Sequence, residues 1–217
     1  MIYKPSYVLI AKTLSILIAP YFKFLNFFRK KHDIKSTNVK TILVAEYHRI
    51  GDVIIIAPVL KSIKSKFPNA KIILLCNESA KELAEYLKLA DEVISVSVPW
   101  TNWRWSFLEW YKIRSFAKSL RSLGVDLGVD FKGDIRNSWF LWNTHPKISF
   151  GYETTGGGYF YTNTFVMDQN IHQNKRALKL IEKFGCRSSC DKKGRYHSIK
   201  DGCVVLHSGV SDLARSW

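Results

Sequence analysis

Apolar residues fall into two kinds of run along most of this chain. From Thr41 to His207, short and nearly continuous apolar stretches alternate with longer segments whose apolar positions recur every three or four residues. The short runs are Thr41–Ala45, Lys71–Cys76, Glu92–Val98, Leu127–Phe131, Ile148–Tyr152 and Cys203–His207. Being apolar throughout rather than alternating, they predict strands buried on both faces. The periodic segments Asp52–Lys66, Ser79–Leu89, Trp105–Leu123, Ile135–Trp142 and His172–Phe184 predict helices. Regular strand–helix alternation gives an α/β fold with a parallel sheet covered by helices on both faces. Asp52, Ser79 and Asp134 stand where helices begin and are candidate N-caps.

The first part of the chain follows another pattern. Tyr7 to Phe28 is strongly apolar, but Lys12, Pro20 and Lys23 interrupt it and Arg29-Lys30-Lys31 closes it. A membrane span needs about 20 apolar residues with few charges. Residues 5–31 therefore read as a helix lying in the membrane interface, lysines snorkelling and the basic cluster meeting anionic headgroups. A transmembrane anchor and a helix packed on the protein's own core are the alternatives. Asp33–Lys40 is polar and reads as a linker. The organisation that follows is a membrane-associating helix and linker over 1–38, an α/β domain over 39–200, and over 201–217 the first strand and loop of a second domain that is cut short.

Charge narrows the class of partner. Lysine and arginine number 33 against 18 acidic residues, formally +15, which favours nucleic acid, anionic lipid or a phosphorylated substrate. Cys76, Cys186, Cys190 and Cys203 are too sparse for a disulfide framework, and no cleavable signal peptide is evident, so a reducing, cytoplasmic setting is expected. Cys186 and Cys190, with His172 and His197, match no strong zinc spacing, and no metal is expected.

Candidate chemistry concentrates at strand ends. The loop from Glu46 to Asp52 has a single glycine, so it is neither a dinucleotide fingerprint nor a Walker loop. It leaves Asp52 at a helix N-terminus beside His48 and Arg49, at the edge where open α/β sheets bind ligands. Asp52 is either a helix cap or a general base held ionised by the helix dipole and Arg49. On the same edge, Asp130-Phe131-Lys132-Gly133-Asp134-Ile135-Arg136 offers Lys132 and Arg136 to an anionic acceptor, or forms a solvated loop capped by Asp134. Gly156-Gly157-Gly158 reads as a mobile turn, with a phosphate cradle as the alternative. Trp100, Trp103, Trp105 and Trp110 with Arg104, Lys112 and Arg114 have the composition of a single-strand nucleic-acid site. The spacing of Trp103, Phe107, Trp110 and Tyr111 equally fits an amphipathic helix facing core or bilayer, the preferred reading.

In their order, these motifs resemble the ADP-heptose:lipopolysaccharide heptosyltransferases. The resemblance is carried by Arg49-Ile50-Gly51-Asp52-Val53, Ala57-Pro58-Val59-Leu60, Phe67-Pro68, Ala90-Asp91-Glu92-Val93-Ile94, Leu127 to Arg136, Phe150-Gly151-Tyr152, His172, and Val204 to Trp217. It spans roughly residues 41–217 and leaves the first 38 residues outside. It implies a GT-B fold of two Rossmann-like domains, of which this chain carries the N-terminal, acceptor-binding half. It implies an inverting, metal-independent transfer from a nucleotide-diphosphate sugar such as ADP-heptose, with no cofactor, to a lipopolysaccharide-core or related glycolipid or oligosaccharide. Asp52 falls on the family's base, Arg49, Gly51, Lys132 and Arg136 on its acceptor side, and Ser208, Gly209 and Arg215 on its donor side. The family reading places the protein on the cytoplasmic face of a bacterial inner membrane, peripheral or N-terminally anchored, and the fragment alone is expected to be inactive. The rival is a non-enzymatic basic module on anionic lipid or nucleic acid, the latter disfavoured.

Overall fold

The computed structural model describes residues 5–30, 32–101 and 106–187. Helix α1 (Pro5–Phe27) precedes an alternating series: β1 (Thr41–Glu46), α2 (Ile50–Lys66), β2 (Lys71–Cys76), α3 (Glu78–Tyr86), β3 (Glu92–Ser95), α4 (Phe107–Ser119), β4 (Leu127–Asp130), α5 (Ile135–Asn143), β5 (Ile148–Tyr152), β6 (Asn163–Phe165) and α6 (Gln173–Glu182). The six strands are parallel in the order β3-β2-β1-β4-β5-β6, a Rossmann-like arrangement.

β1 is central because both its faces are apolar. Ile42 and Val44 join a core formed with α2, α3 and α6, while Leu43 and Ala45 join another formed with α4 and α5. In register, Val44 lies between Leu74 and Val129, and Ala45 between Leu75 and Asp130. The chain winds outward from β1 to β3, then crosses back to β4 on β1's other side. Loops leaving β1 and β4 therefore diverge to opposite faces and open a crevice at their carboxyl ends.

Several boundaries differ from expectation for local reasons. α3 is capped by Asn77, whose side chain accepts the Ser79 amide 3.1 Å away, so Ser79 is inside the helix. Arg49 rather than Asp52 is the N-cap residue of α2. β3 stops at Ser95, although Val96 and Val98 continue inward as buried residues. The helix expected to reach Leu123 ends at Ser119 and tightens into a 3₁₀ turn over Leu120–Leu123. β6 is absent from the apolar pattern, because its Asn-Thr-Phe has neither length nor apolar character. Its position is set by tertiary bonds between Thr162 and Ser149, at 2.8 and 2.9 Å. The expected strand Cys203–His207 and the 201–217 segment lie outside the described residues.

α1 lies against the outer side of α5. Ser15 Oγ accepts the Gly157 amide at 2.9 Å, Asn26 Oδ1 accepts the indole N–H of Trp142 at 2.8 Å, and Phe22 packs on Trp142, Tyr159 and Phe160. Arg29, expected to face lipid headgroups, turns inward instead, donating to the Trp142 carbonyl at 3.0 Å and covering its ring. Burial, with Arg121 nearby, lowers its pKa to about 10.

Candidate active site

The crevice between β1 and β4 brings together the buried Glu46, Asp130 and Lys132. Glu46 ends β1 and is fully buried; Asp130 ends β4 and is fully buried as well. Two residues beyond β4, Lys132 turns its ammonium between carboxylates, 3.0 Å from Asp52 Oδ1 and 3.3 Å from Glu46 Oε1. His48 Nδ1 is also 3.3 Å from Glu46 Oε1. Neither contact of Glu46 has hydrogen-bond geometry, so this buried carboxylate is held by charge alone among the described residues. An ion held this way is stable only while its counter-ion stays in place.

Asp52 is the third residue of α2. Its Oδ2 accepts the Arg49 amide at 3.2 Å, reaching back to tie down the helix start, while Oδ1 faces Lys132. From the other side, Gln173 at the start of α6 donates to Oδ1 at 3.0 Å. Asn174 fixes that approach by donating to the Ile55 carbonyl at 2.7 Å. Burial alone would raise the Asp52 pKa, but the charge and hydrogen bond of Lys132, the Arg49 amide and Gln173 outweigh it and hold the carboxyl below its ordinary range. Asp52 is thus both a cap element and an ionised carboxylate at the crevice. The sequence pattern offers these only as alternatives.

Gly51 stands next to it for no internal reason. Its backbone is helical, and a methyl group there would meet no heavy atom within 4 Å. Neither φ nor packing demands glycine, and the position is exposed with open space beside Asp52. Arg49 is exposed on the same rim.

Beneath the crevice, Asp130 accepts the Lys132 amide at 3.0 Å and the Tyr161 hydroxyl. The Tyr161 ring lies over Gly151, where a Cβ would come within 2.3 Å of it. Burial pushes the Asp130 pKa up to about 6, against the hydrogen bonds from Tyr161 and the Lys132 amide, with the charges of Glu46 and Asp134 adding to the rise. An acid whose folded pKa is raised loses stability as pH climbs from about 4 to that value. Asp130→Asn is therefore expected to be more stable than the parent by roughly 2 kcal/mol at pH 8, and equal to it near pH 4.5. Urea unfolding at both pH values checks this; a difference independent of pH would assign it to packing instead.

Other anticipated residues are placed as follows. Arg136 forks onto the buried Asp134, which also caps α5 by accepting the Arg136 amide at 2.9 Å. The glycine triplet forms a turn packed against α1. Gly156 and Gly157 take positive φ, Gly156 presses against Ser15, and the Gly157 amide is committed to the Ser15 hydroxyl, which also removes the phosphate-cradle reading. Trp100 is buried, with its indole N–H on Asn137 at 2.8 Å, and Trp110 packs between Trp100 and Trp139. The expected apolar stripe on that helix is split: Trp110 packs inward, while Phe107 and Tyr111 are exposed. Trp103, Arg104 and Trp105 lie outside the described residues, as do Cys190, His197, Cys203, Ser208, Gly209 and Arg215. Cys186 is buried, and burial pushes its thiol up to about 12. Among the described residues no group of His, Cys, Asp or Glu side chains is placed to hold a metal.

Sequence reasoning misses Glu46, Gln173 and Tyr161. Glu46 leaves a signal, a carboxylate closing an otherwise apolar strand. Gln173 and Tyr161 leave none, because their roles depend on contacts 121 and 31 residues away.

No protein-family model matches the chain, and no curated protein matches its sequence. Solved structures do share its fold. E. coli heptosyltransferase WaaC with ADP superposes with a TM-score of 0.57 at 18% identity, over 68% of this chain and 48% of that one. A glycosyl transferase family 9 protein from Veillonella parvula gives 0.58 at 21%, over 68% and 42%. E. coli ADP-heptose lps heptosyltransferase II gives 0.54 at 14%, over 65% and 39%. The chain spans less than half the length of each of these structures.

Proposed function

We propose that this chain is the acceptor-binding half of a glycosyltransferase that moves a sugar, with inversion, from a nucleoside-diphosphate donor to a hydroxyl of a lipopolysaccharide-core or related cell-surface glycan. The observation that carries the reading is an ionised carboxylate, Asp52, at the β1–β4 crevice beside the unfilled space over Gly51. The shared fold with heptosyltransferases supports it.

In the step, the acceptor hydroxyl gives its proton to Asp52 as its oxygen bonds to the anomeric carbon. The bond from that carbon to the diphosphate oxygen breaks on the opposite face, and the electron pair leaves with the diphosphate. Lys132 and Gln173 hold Asp52 in place, and the dipole of α2 puts its positive end at the same helix start. Arg49, exposed beside Asp52, is assigned to the acceptor, as is Arg136 by resemblance although its guanidinium is engaged by Asp134, and Ser208, Gly209 and Arg215 are assigned to the donor by resemblance. A nucleic-acid partner is less well supported, because Trp100 and Trp110 are internal rather than offered for stacking.

Gly51→Ala separates fold from function. Alanine at a helical position is expected to leave stability unchanged or raise it by about 0.5 kcal/mol. Binding of a core-oligosaccharide acceptor should weaken at least about tenfold as the methyl fills the space. Amide shifts in the parent chain during acceptor titration should centre on Gly51, Asp52 and Lys132. Shifts confined elsewhere would remove the reading.

A further inference from the structure

α1 is amphipathic in the reverse sense for a helix docked on a soluble domain. Its protein-facing stripe is narrow and partly polar: Ala11, Ser15, Phe22 and Asn26, with Arg29 just beyond the helix end. Its outer face is broad and apolar, with Leu9, Leu17, Phe24 and Phe28 between 63% and 71% exposed. At 100° per residue, Leu17 and Phe24 lie opposite Ser15 and Asn26, and Leu9 lies at the margin of that outer face. Lys12 and Lys23, both exposed, fall about three turns apart on one line between the two faces. Val8–Phe27 has the length and composition of a membrane span, yet only 6% of it is buried.

We propose that α1 lies in the plane of an anionic bilayer, its outer face among the acyl chains and its lysines at headgroup level, and does not cross. The docking contacts decide between these two. They run from Ala11 to Asn26, roughly 22 Å of helix at 1.5 Å per residue. A crossing helix would draw Trp142, Tyr159 and the glycine turn through most of a hydrocarbon core about 30 Å thick. In the plane, one side of α1 stays on the domain and the other takes lipid. The lysines and the +15 chain favour anionic headgroups as the occupant over a second copy of this equally basic protein.

The contact order along α1 also fixes how the domain sits. Ser15 meets the turn beside the start of α5, and Asn26 and Arg29 meet Trp142 near its end, so the two helices run in the same direction. α5 itself runs back along the strands. An in-plane α1 thus lays the strands along the membrane and opens the β1–β4 crevice sideways over the lipid surface. This orientation does not depend on the transfer chemistry.

Flotation of the full chain tests it with phosphatidylcholine vesicles, with and without phosphatidylglycerol. Binding is expected to be at least about tenfold stronger with the anionic lipid, and to fall roughly a hundredfold in Leu17→Glu/Phe24→Glu, two exposed positions whose change spares the fold. A nitroxide introduced by Leu9→Cys, Leu17→Cys or Phe27→Cys, read against the labelled parent chain, should report similar shallow depths at all three. Leu17 at the bilayer centre with Leu9 and Phe27 near opposite surfaces would overturn the in-plane placement. So would absent flotation together with a dimer in sedimentation that Leu17→Glu/Phe24→Glu dissolves.

Discussion

Asp52→Asn is expected to lower sugar transfer by about a thousandfold while leaving acceptor affinity within a few-fold, assayed with the donor-binding half present. Asparagine keeps the size of the side chain, and its amide oxygen still accepts the Arg49 amide that now reaches Oδ2. It removes the lone pair that takes the proton, a function worth roughly 10² to 10⁴ in rate. Because Lys132, the Arg49 amide and Gln173 overcome burial and hold Asp52 below the ordinary carboxylate range, its ionisation should not limit the rate anywhere near neutral pH. The acid limb of the pH profile should therefore lie below the ordinary carboxylate range in the parent and be missing from the residual activity of the variant. The linkage to stability has the same sign. A lowered folded pKa stabilises above the unfolded value, and that contribution is lost as pH falls through the folded one. Transfer unchanged in Asp52→Asn would remove this residue as the base and leave it as a helix-start fixture.

The part of this molecule legible in its sequence is the part set by short-range pattern. Continuous apolar runs mark β1, β2, β4 and β5 nearly to the residue, since strands buried on both faces admit few polar side chains. β6 escapes because three polar-leaning residues are held by the neighbouring Thr162–Ser149 bonds rather than by their own propensity. For the site, the pattern says that Asp52 and Lys132 share an edge. It does not say that they touch, because that depends on β1 and β4 being sheet neighbours after the chain crosses back past β1. The glycine triplet misleads for a related reason. Its partner, Ser15, is 142 residues from Gly157 and sits on a helix for which lipid is the preferred reading of the sequence and packing on the protein's own core only an alternative. On the proposed in-plane placement that helix answers to two surfaces at once, and no single-face reading of its sequence contains both.

Lys132→Met is expected to be the most destabilising single change in the crevice, about 3–5 kcal/mol, because it strands the fully buried Glu46 without its cation. His48 is the other positive group within reach of Glu46, at 3.3 Å, and it neutralises the carboxylate only when protonated. Asp52 loses less, since it is part-exposed and keeps the Arg49 amide and Gln173. Lys132→Met should also release the carboxyl of Asp52 toward a higher pKa, because the charge and hydrogen bond of this lysine are the strongest influences opposing its burial. Two readouts then separate the structural from the positioning role. Urea unfolding of Lys132→Met, Glu46→Gln and the double variant forms a cycle, and the double should recover at least about 2 kcal/mol relative to Lys132→Met, since no buried charge remains unpaired. If transfer follows Asp52, the double variant should regain fold but not rate, with its acid limb moved upward. A cycle that is simply additive would mean that Glu46 and Lys132 are not coupled, and that the crevice is held by the helix start and Gln173 alone.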